Sequence, residues 1–453
     1  MTDTFHPREL AKIDQPRFAQ YTRNLAFYNG QHWPARRATD KRPHLTFNYA
    51  RTLIEKTAAY VMAGRTVRVI PTADNPEAQA AADTAAQLLN DIHQANAADR
   101  LDFDTEVDTS VMGDGAFRLA WGGDADPRVI ITAPDVQGIF VWPKPHALTD
   151  YDQVAHRYTL TATQAAQAFN VATAKATATV VERWTTDTFE AWVDNALVDA
   201  RPNPHGAIPY VIFPNSPVPK QFWGISDIPP IREANEELNR ELSVLSAIMQ
   251  LSGNPIAVLA GVDEAKDIAT EAGAVWTLPA EAKAYLLDLL SGGGVRLHIE
   301  YLNAIYRALH DLAETPRTTF GDTGRALSGV ALEMEIQPLL QKVARKRLIR
   351  TEAYRRRAQL ALTIADYHLS TNHAAAGAID INWGEVTPQD RTDNANREVA
   401  LFNAGLTSAP ASLSRLGATH PDIEWETILA NARDLATARA TGQTTPPPPQ
   451  TAP

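Results

Sequence analysis

Cysteine is absent from the 453 residues. Its absence excludes a disulfide framework, thiol catalysis and cysteine-ligated zinc. No apolar run reaches the roughly 18 residues of a membrane helix, so no membrane partner is expected. The opening stretch "MTDTFHPRELAKIDQPRF" has no apolar signal core, and secretion is not expected. Positive charge is in deficit, with 42 Lys+Arg against 53 Asp+Glu and a net charge of -11. A free-standing, tight DNA binder neutralises phosphates with Lys and Arg, so this balance argues against one. It leaves room for a protein that surrounds DNA loosely. GxxxxGK[ST], HExxH and GxSxG are all missing. The 12 histidines are scattered without metal-ligand spacing. We therefore expect no enzyme: no catalytic residues, no cofactor and no metal site.

With 44% hydrophobic and 21% charged residues, the composition is that of ordinary folded protein, long enough for two or more compact units. A helix is expected from Pro16 to about residue 29 and a second through "TFNYARTLIEKTAAYVMAG", with Gly64 as its stop. "RTVRVIP" alternates like a strand, and residues 76 to 96 are Ala-rich and helical. In "LDFDTEVDTSVMGDGAFRLAW" the acids Asp102, Asp104, Glu106 and Asp108 suggest a calcium loop, but Val107 stands where such a loop needs glycine. The alternative is a helix with a solvated acidic face, turned by Gly113 and Gly115 into a strand. Residues 117 to 215 are β-rich, with "FRLAW", "RVIITA", "GIFVWP", "VAHRYTL", "TVVERWTT", "FEAWVD" and "IPYVIFPN" as short strands of an antiparallel sheet. Trp121, Trp142, Trp184 and Trp192 are expected in the core.

The pattern then changes. In "WGISDIPPIREANEELNRELSVLSAIMQLSG", Ser226 or Asp227 is placed to cap a helix, with Pro229 and Pro230 in its first turn. Ile231, Ala234, Leu238, Leu242, Leu245 and Met249 form a narrow stripe that needs a partner helix or subunit. Its polar face carries Glu233, Glu236, Glu237 and Glu241. A small mixed segment follows, closed by Gly292, Gly293 and Gly294. A second helix, "VRLHIEYLNAIYRALHDLAETP", then runs to Pro316. After the glycine-rich "TTFGDTGRALSG" comes a long helix in which Pro338 predicts a kink. That helix concentrates Lys342, Arg345, Lys346, Arg347, Arg350, Arg355, Arg356 and Arg357 against almost only Glu352. Two readings of this basic run stay open. Arg355 to Arg357 pair with acidic faces of a neighbouring subunit, or part of the run attracts phosphate. "DINWGEV" is strand-like, several short helices follow, and "QTTPPPPQTAP" is low-complexity.

The order of these parts resembles the portal proteins of long-tailed, siphophage-like bacteriophages. The resemblance rests on "FYNGQHW" with "NYARTLIEKTAAYVMAGRTV", on "VDTSVMGDGAFRLAW" with "ITAPDVQGIFVWP", and on "NPHGAIPYVIFPNS" with "GISDIPPIREANEELNRELS". "ALSGVALEMEIQPLL" and "GLTSAPASLSRLGATHPDIEWE" complete it. It implies an α+β subunit with a β-rich wing, two-helix stem, small α/β clip, long kinked wing helix and helical crown. After an N-terminal segment, 1–24, the wing is expected at residues 25–223 and 332–383, and the stem at 224–252 and 295–316. The clip is expected at 253–294, the tunnel loop at 317–331, the crown at 384–441, and a disordered tail at 442–453.

It further implies a ring, typically of twelve subunits, at one capsid vertex of a virion, assembled in the host cytoplasm. Double-stranded DNA passes through its channel during packaging and ejection, without sequence preference. The expected partners are the large terminase, major capsid and scaffold proteins, and a head–tail adaptor. The tunnel loop would present Arg317, Thr318, Thr319, Gly321, Asp322, Thr323, Gly324 and Arg325 to DNA, and the four stem glutamates would line the channel. Trp276 would pack the clip against neighbouring copies. Two other classes stay open: a metal-dependent nucleic-acid-processing enzyme, and a head–tail adaptor that never touches DNA.

Overall fold

The computed structural model describes residues 5–34, 44–123, 125–253, 257–260, 283–286, 294–321, 329–384, 391–416, 418 and 421–440. Expectations for Trp276, for Asp322 to Arg325 and for the tail fall outside them. The chain forms two compact units, Met1–Gly384 and Glu385–Pro453.

The first unit mixes helix and sheet, as expected of an α+β fold. It begins with α1 (Gln15–Tyr28), α2 (Tyr49–Met62), β1 (Thr66–Pro71), α3 (Pro76–Ala95) and α4 (Ala98–Met112). Then follow β2 (Asp114–Trp121), β3 (Val129–Thr132), β4 (Ile139–Lys144), β5 (Ala147–Thr161), α5 (Ala162–Phe169), β6 (Thr177–Thr185), β7 (Thr188–Val193), β8 (Ala196–Pro202) and β9 (Tyr210–Pro214). The unit continues with α6 (Pro229–Gly253), β10 (Ala257–Ala260), β11 (Lys283–Leu286), α7 (Gly294–Ala313), α8 (Gly329–Leu369) and β12 (Gly377–Asn382). β4 to β8 form a five-stranded antiparallel meander. A three-stranded sheet has the order β3-β2-β9. β1 pairs antiparallel with the distant β12, Thr66 opposite Asn382, and β10 pairs with β11.

The α5 helix and β8 were not anticipated, although each carries a local signal. Thr161 and Gln164 close a capping box at the start of α5. Asp194 and Asn195 both take positive φ, 47° and 69°, in the tight turn from β7 to β8. Two expected glycines are required. Gly64 ends α2 at φ +68°, and a Cβ there would lie 2.8 Å from the Gly384 backbone. Gly113 ends α4 at φ +111°, where a Cβ would meet the Ser226 nitrogen at 2.9 Å.

One core lies where α3 and α8 cover β2, β3, β9 and the β1–β12 pair, around Phe117, Tyr354 and Ile364. A second joins α2 to α6 and α7 through Leu53, Ile54, Ile231, Leu238, Ile305 and Leu309. The four tryptophans sit half-buried against the core clusters, as expected of packing residues. The second unit contains α9 (Arg391–Asn403), α10 (Ala409–Arg415) and α11 (Pro421–Ala440). Within it Arg415 grips the buried Glu398 through two hydrogen bonds, at 2.9 and 2.8 Å. Helix α11, with 20 residues, is longer than the short helices expected there.

Candidate functional site

The α6 and α7 helices run antiparallel. Glu237 on α6 accepts from the Tyr301 hydroxyl at 3.3 Å, and Glu241 meets His298 Nδ1 at 2.9 Å. Of the four acids on the polar face of α6, two are therefore turned toward α7. Glu233 is exposed and Glu236 half-buried. The apolar stripe of α6 buries Ile231 and Leu238, while Met249 stays exposed. Along α7, Leu297, Tyr301 and Leu312 are exposed.

A polar stripe that composition does not reveal is also buried. Asn235, Asn239 and Ser243 recur every fourth residue on α6 and are 0, 0 and 7% exposed. They hold the chain entering α2. Asn235 Oδ1 accepts from the Ala50 amide at 3.0 Å, and its Nδ2 donates to the Phe47 carbonyl at 2.9 Å. Asn239 Oδ1 accepts from the Phe47 amide at 2.8 Å, and Ser243 Oγ from the Leu45 amide at 3.0 Å. The side chains supply the partners that a strand ladder would otherwise provide.

Much of the basic run of α8 is engaged within its own chain. Arg350 is fully buried and uses all five of its donors: two on Glu106, two on the carbonyls of Pro214 and Asn215, and one on Asn215 Oδ1. Lys346 reaches Ser110 Oγ at 2.8 Å, Asn215 Oδ1 at 2.6 Å and Asp227 at 2.8 Å. Arg357 chelates Asp102, which also binds Arg65 at 2.5 Å. Arg347 caps the end of α2 by donating to the carbonyls of Tyr60, Val61 and Ala63. Arg355 binds Glu352 and the Ile379 carbonyl, and Arg356 binds Glu352 and the Thr149 carbonyl. These contacts are all made within one chain.

The solvated acidic face expected on α4 must be corrected to match. Asp104 and Asp108 face water, but Asp102 and Glu106 are 0 and 2% exposed. The two helices carry complementary charges at helical spacing, and they meet in the interior. Burial alone would raise the Asp102 and Asp227 carboxyls. Arg357 and Arg65 hold the first below the usual carboxylate range, and Lys342 and Lys346 hold the second well below it. Asp227 thus serves an ion pair rather than a helix cap, and Ser226 Oγ accepts the Ile228 amide at 3.0 Å.

The stretch between α7 and α8 is folded where it is described. Arg317 to Phe320 form a 3-10 turn. Arg317 is half-buried, with its guanidinium 4.9 Å from the Tyr306 ring centre. Thr318 is half-buried, and Thr319 donates to the Pro316 carbonyl at 2.6 Å. Gly321 closes the turn at φ +83°. Pro338 lies within α8, and the helix is continuous through it. Among the described residues, no group of three or more His, Asp or Glu is placed to hold a metal ion. No helix of the described residues is long and apolar enough to cross a membrane.

Among the described residues, the α6–α7 pair is tied at its base to a charged, buried core. The family model described as phage portal protein, SPP1 Gp6-like, matches residues 8–437. The chain belongs to that family of portal proteins, structural components of the phage DNA-packaging channel at the capsid vertex. Comparison with curated proteins finds none that matches the chain.

Proposed function

We propose that this chain forms a ring of about twelve subunits through whose centre double-stranded DNA is packaged and later ejected. The observation that carries the reading is the match of the portal family model across residues 8–437. In this reading α6 and α7 are the stem, residues 253–294 the clip and 384–441 the crown, and the remaining sheets with α8 form the wing. The large terminase docks during packaging and a head–tail adaptor follows. The ring is built in the host cytoplasm with capsid and scaffold proteins. Two features support it. The paired helices leave Met249, Leu297, Tyr301 and Leu312 exposed, a surface suited to neighbouring copies in a closed ring. Glu233 and Glu236 keep negative charge on the outer side of α6, and repetition around a ring multiplies their repulsion of phosphate. Residues 317–331, with Arg317 and Arg325, are the candidate DNA contacts, and Trp276 is the candidate clip contact.

Native mass spectrometry of the full chain tests the assembly. A mass close to twelve subunits supports it, and a folded monomer or dimer at every concentration overturns it.

A further inference from the structure

The end of α7 is built in an unusual way. The helix does not stop at a glycine. Glu314 takes the left-handed conformation there, φ +52°, which disfavours a residue with a Cβ. The turn is closed from below by buried groups. Thr315 is 0% exposed, its amide donates to the His310 carbonyl at 3.1 Å, and its own carbonyl contacts His310 Nδ1 at 2.6 Å. From above it is held by α8. Lys342 Nζ donates to the Ala313 carbonyl at 3.0 Å, and Arg345 grips the Glu314 carboxylate at 2.7 and 2.5 Å. Lys342 also lies 3.7 Å from Asp227, just ahead of α6. One ammonium thus touches the start of α6 and the end of α7.

These outer cations differ from the ones beneath. Arg345 and Glu314 are 57% and 40% exposed, so their pair is weak and screened by salt. Removing Lys342 leaves Asp227 still paired with Lys346 and hydrogen-bonded to Asn215. Neither change strands a buried charge. The Lys346–Asp227 and Arg350–Glu106 pairs, in contrast, are sealed.

We propose that the joint between α7 and α8 is a latched hinge: Lys342 and Arg345 hold the left-handed turn at Glu314 shut while the buried pairs keep α8 docked. Opening the latch frees the turn and the 3-10 segment Arg317–Phe320 without undocking the long helix. The use of this motion during DNA passage rests on the channel reading above; the hinge itself does not.

Hydrogen exchange on the assembled full-length protein tests the hinge. Lys342→Met with Arg345→Gln should speed exchange of the amides at 314–321 at least tenfold. Amides of 353–365 in α8 should not change. Arg345→Gln alone should act in the same direction, as should high salt on the unaltered protein. Unchanged exchange at 314–321 would overturn the latch. Faster exchange spreading through 353–365 would also overturn it, because the two cations would then be supports of the core.

The chain has no cysteine, so Glu314→Cys with Arg345→Cys can be joined by a reducible bis-maleimide. Packaging that stops when linked and recovers on reduction supports use of the hinge in DNA passage. Packaging at full rate while linked would overturn that use and leave the channel reading standing.

Discussion

Arg350 and Glu106 meet as a two-point ion pair, Nε to Oε2 at 2.7 Å and Nη2 to Oε1 at 3.0 Å, with both side chains closed to water. Breaking such a pair from one side costs about 3–5 kcal/mol; without Arg350, Glu106 keeps only the longer Lys346 pair at 3.5 Å, and the buried Pro214 and Asn215 carbonyls lose their donor. Arg350→Met should therefore lower stability by that amount in chemical denaturation. Asp104→Asn, on the exposed face of the same α4 helix, should change it by less than about 0.5 kcal/mol. Equal effects from the two substitutions would show that the interior pair is not what secures α8.

Acid should act in two stages. His93 accepts from Arg357 at 2.9 Å and faces Arg65, Asp102 and Asp99; burial and the arginines push it down to about 4. His156, beside the Tyr210 hydroxyl and facing Glu182, Arg118 and Asp135, is also pushed by burial down to about 4. Both are neutral in the folded protein over a range where the unfolded chain takes up a proton. Their contribution is complete above pH 6.5, the ordinary value, and is lost as pH falls from there toward about 4. For each the loss is about 3 kcal/mol. The depressed carboxyls, Asp102 and Asp227, work at lower pH. Their stabilisation is complete above the ordinary carboxylate range and is lost as pH falls from there toward their lowered values. His93→Gln keeps a neutral acceptor, so it should flatten the stability slope between pH 6.5 and 4. An unaltered slope would assign the first stage to other groups.

Asn239 offers a separate test of how α6 is held. Asn239→Leu keeps the branched shape but leaves the Phe47 amide without its acceptor and removes the donor to His32 Nδ1, at 2.8 Å. An unsatisfied buried donor costs about 1–3 kcal/mol. Exchange of the Phe47 and Ala50 amides should quicken, while amides in the five-stranded meander should not. If exchange at 45–50 is unaffected, the buried polar stripe of α6 does not position that segment.

Much of the fold was legible because hydrophobic period and turn chemistry are local. Pro16, Gly64, Gly113 and Pro229 mark boundaries that the structure keeps within a residue or two. The pairing of β1 with β12 was not legible, since more than three hundred residues separate the strands and alternation does not name a partner. The charged residues were misread for a related reason. Asp102, Glu106 and Ser110 recur every fourth residue, as do Lys346 and Arg350; the acidic series reads as a solvated face, and the basic one as a surface for a neighbouring subunit or phosphate, until the two are placed together. The steps themselves were the available signal: complementary charges at matching helical spacing on two long helices. The same holds for Asn235, Asn239 and Ser243, whose four-residue period was present but lay beside a stronger apolar stripe.

The two arginines bracketing the glycine-rich stretch should behave differently when removed. Arg317 is half-buried over the Tyr306 ring at 4.9 Å, and Tyr306 in turn packs edge-on against His310 at 4.6 Å. A cation–π contact of this kind contributes about 0.5–1 kcal/mol, so Arg317→Ala should loosen the 3-10 turn whether or not DNA is present. Arg325 was singled out as a phosphate contact on sequence alone, where a lone exposed charge contributes about 1 kcal/mol or less and weakens with salt. On the channel reading, Arg325→Ala assembles normally and reduces DNA packaging or retention, with the deficit shrinking as salt rises. Arg317→Ala carries an additional, salt-independent part, visible as faster exchange at 317–321 in empty rings. Arg317→Lys keeps the charge but loses the flat guanidinium that stacks on the ring, so it should retain the salt-dependent part and share only the loosening. Normal packaging and retention in a correctly assembled Arg317→Ala, Arg325→Ala double variant would remove this stretch from the DNA path.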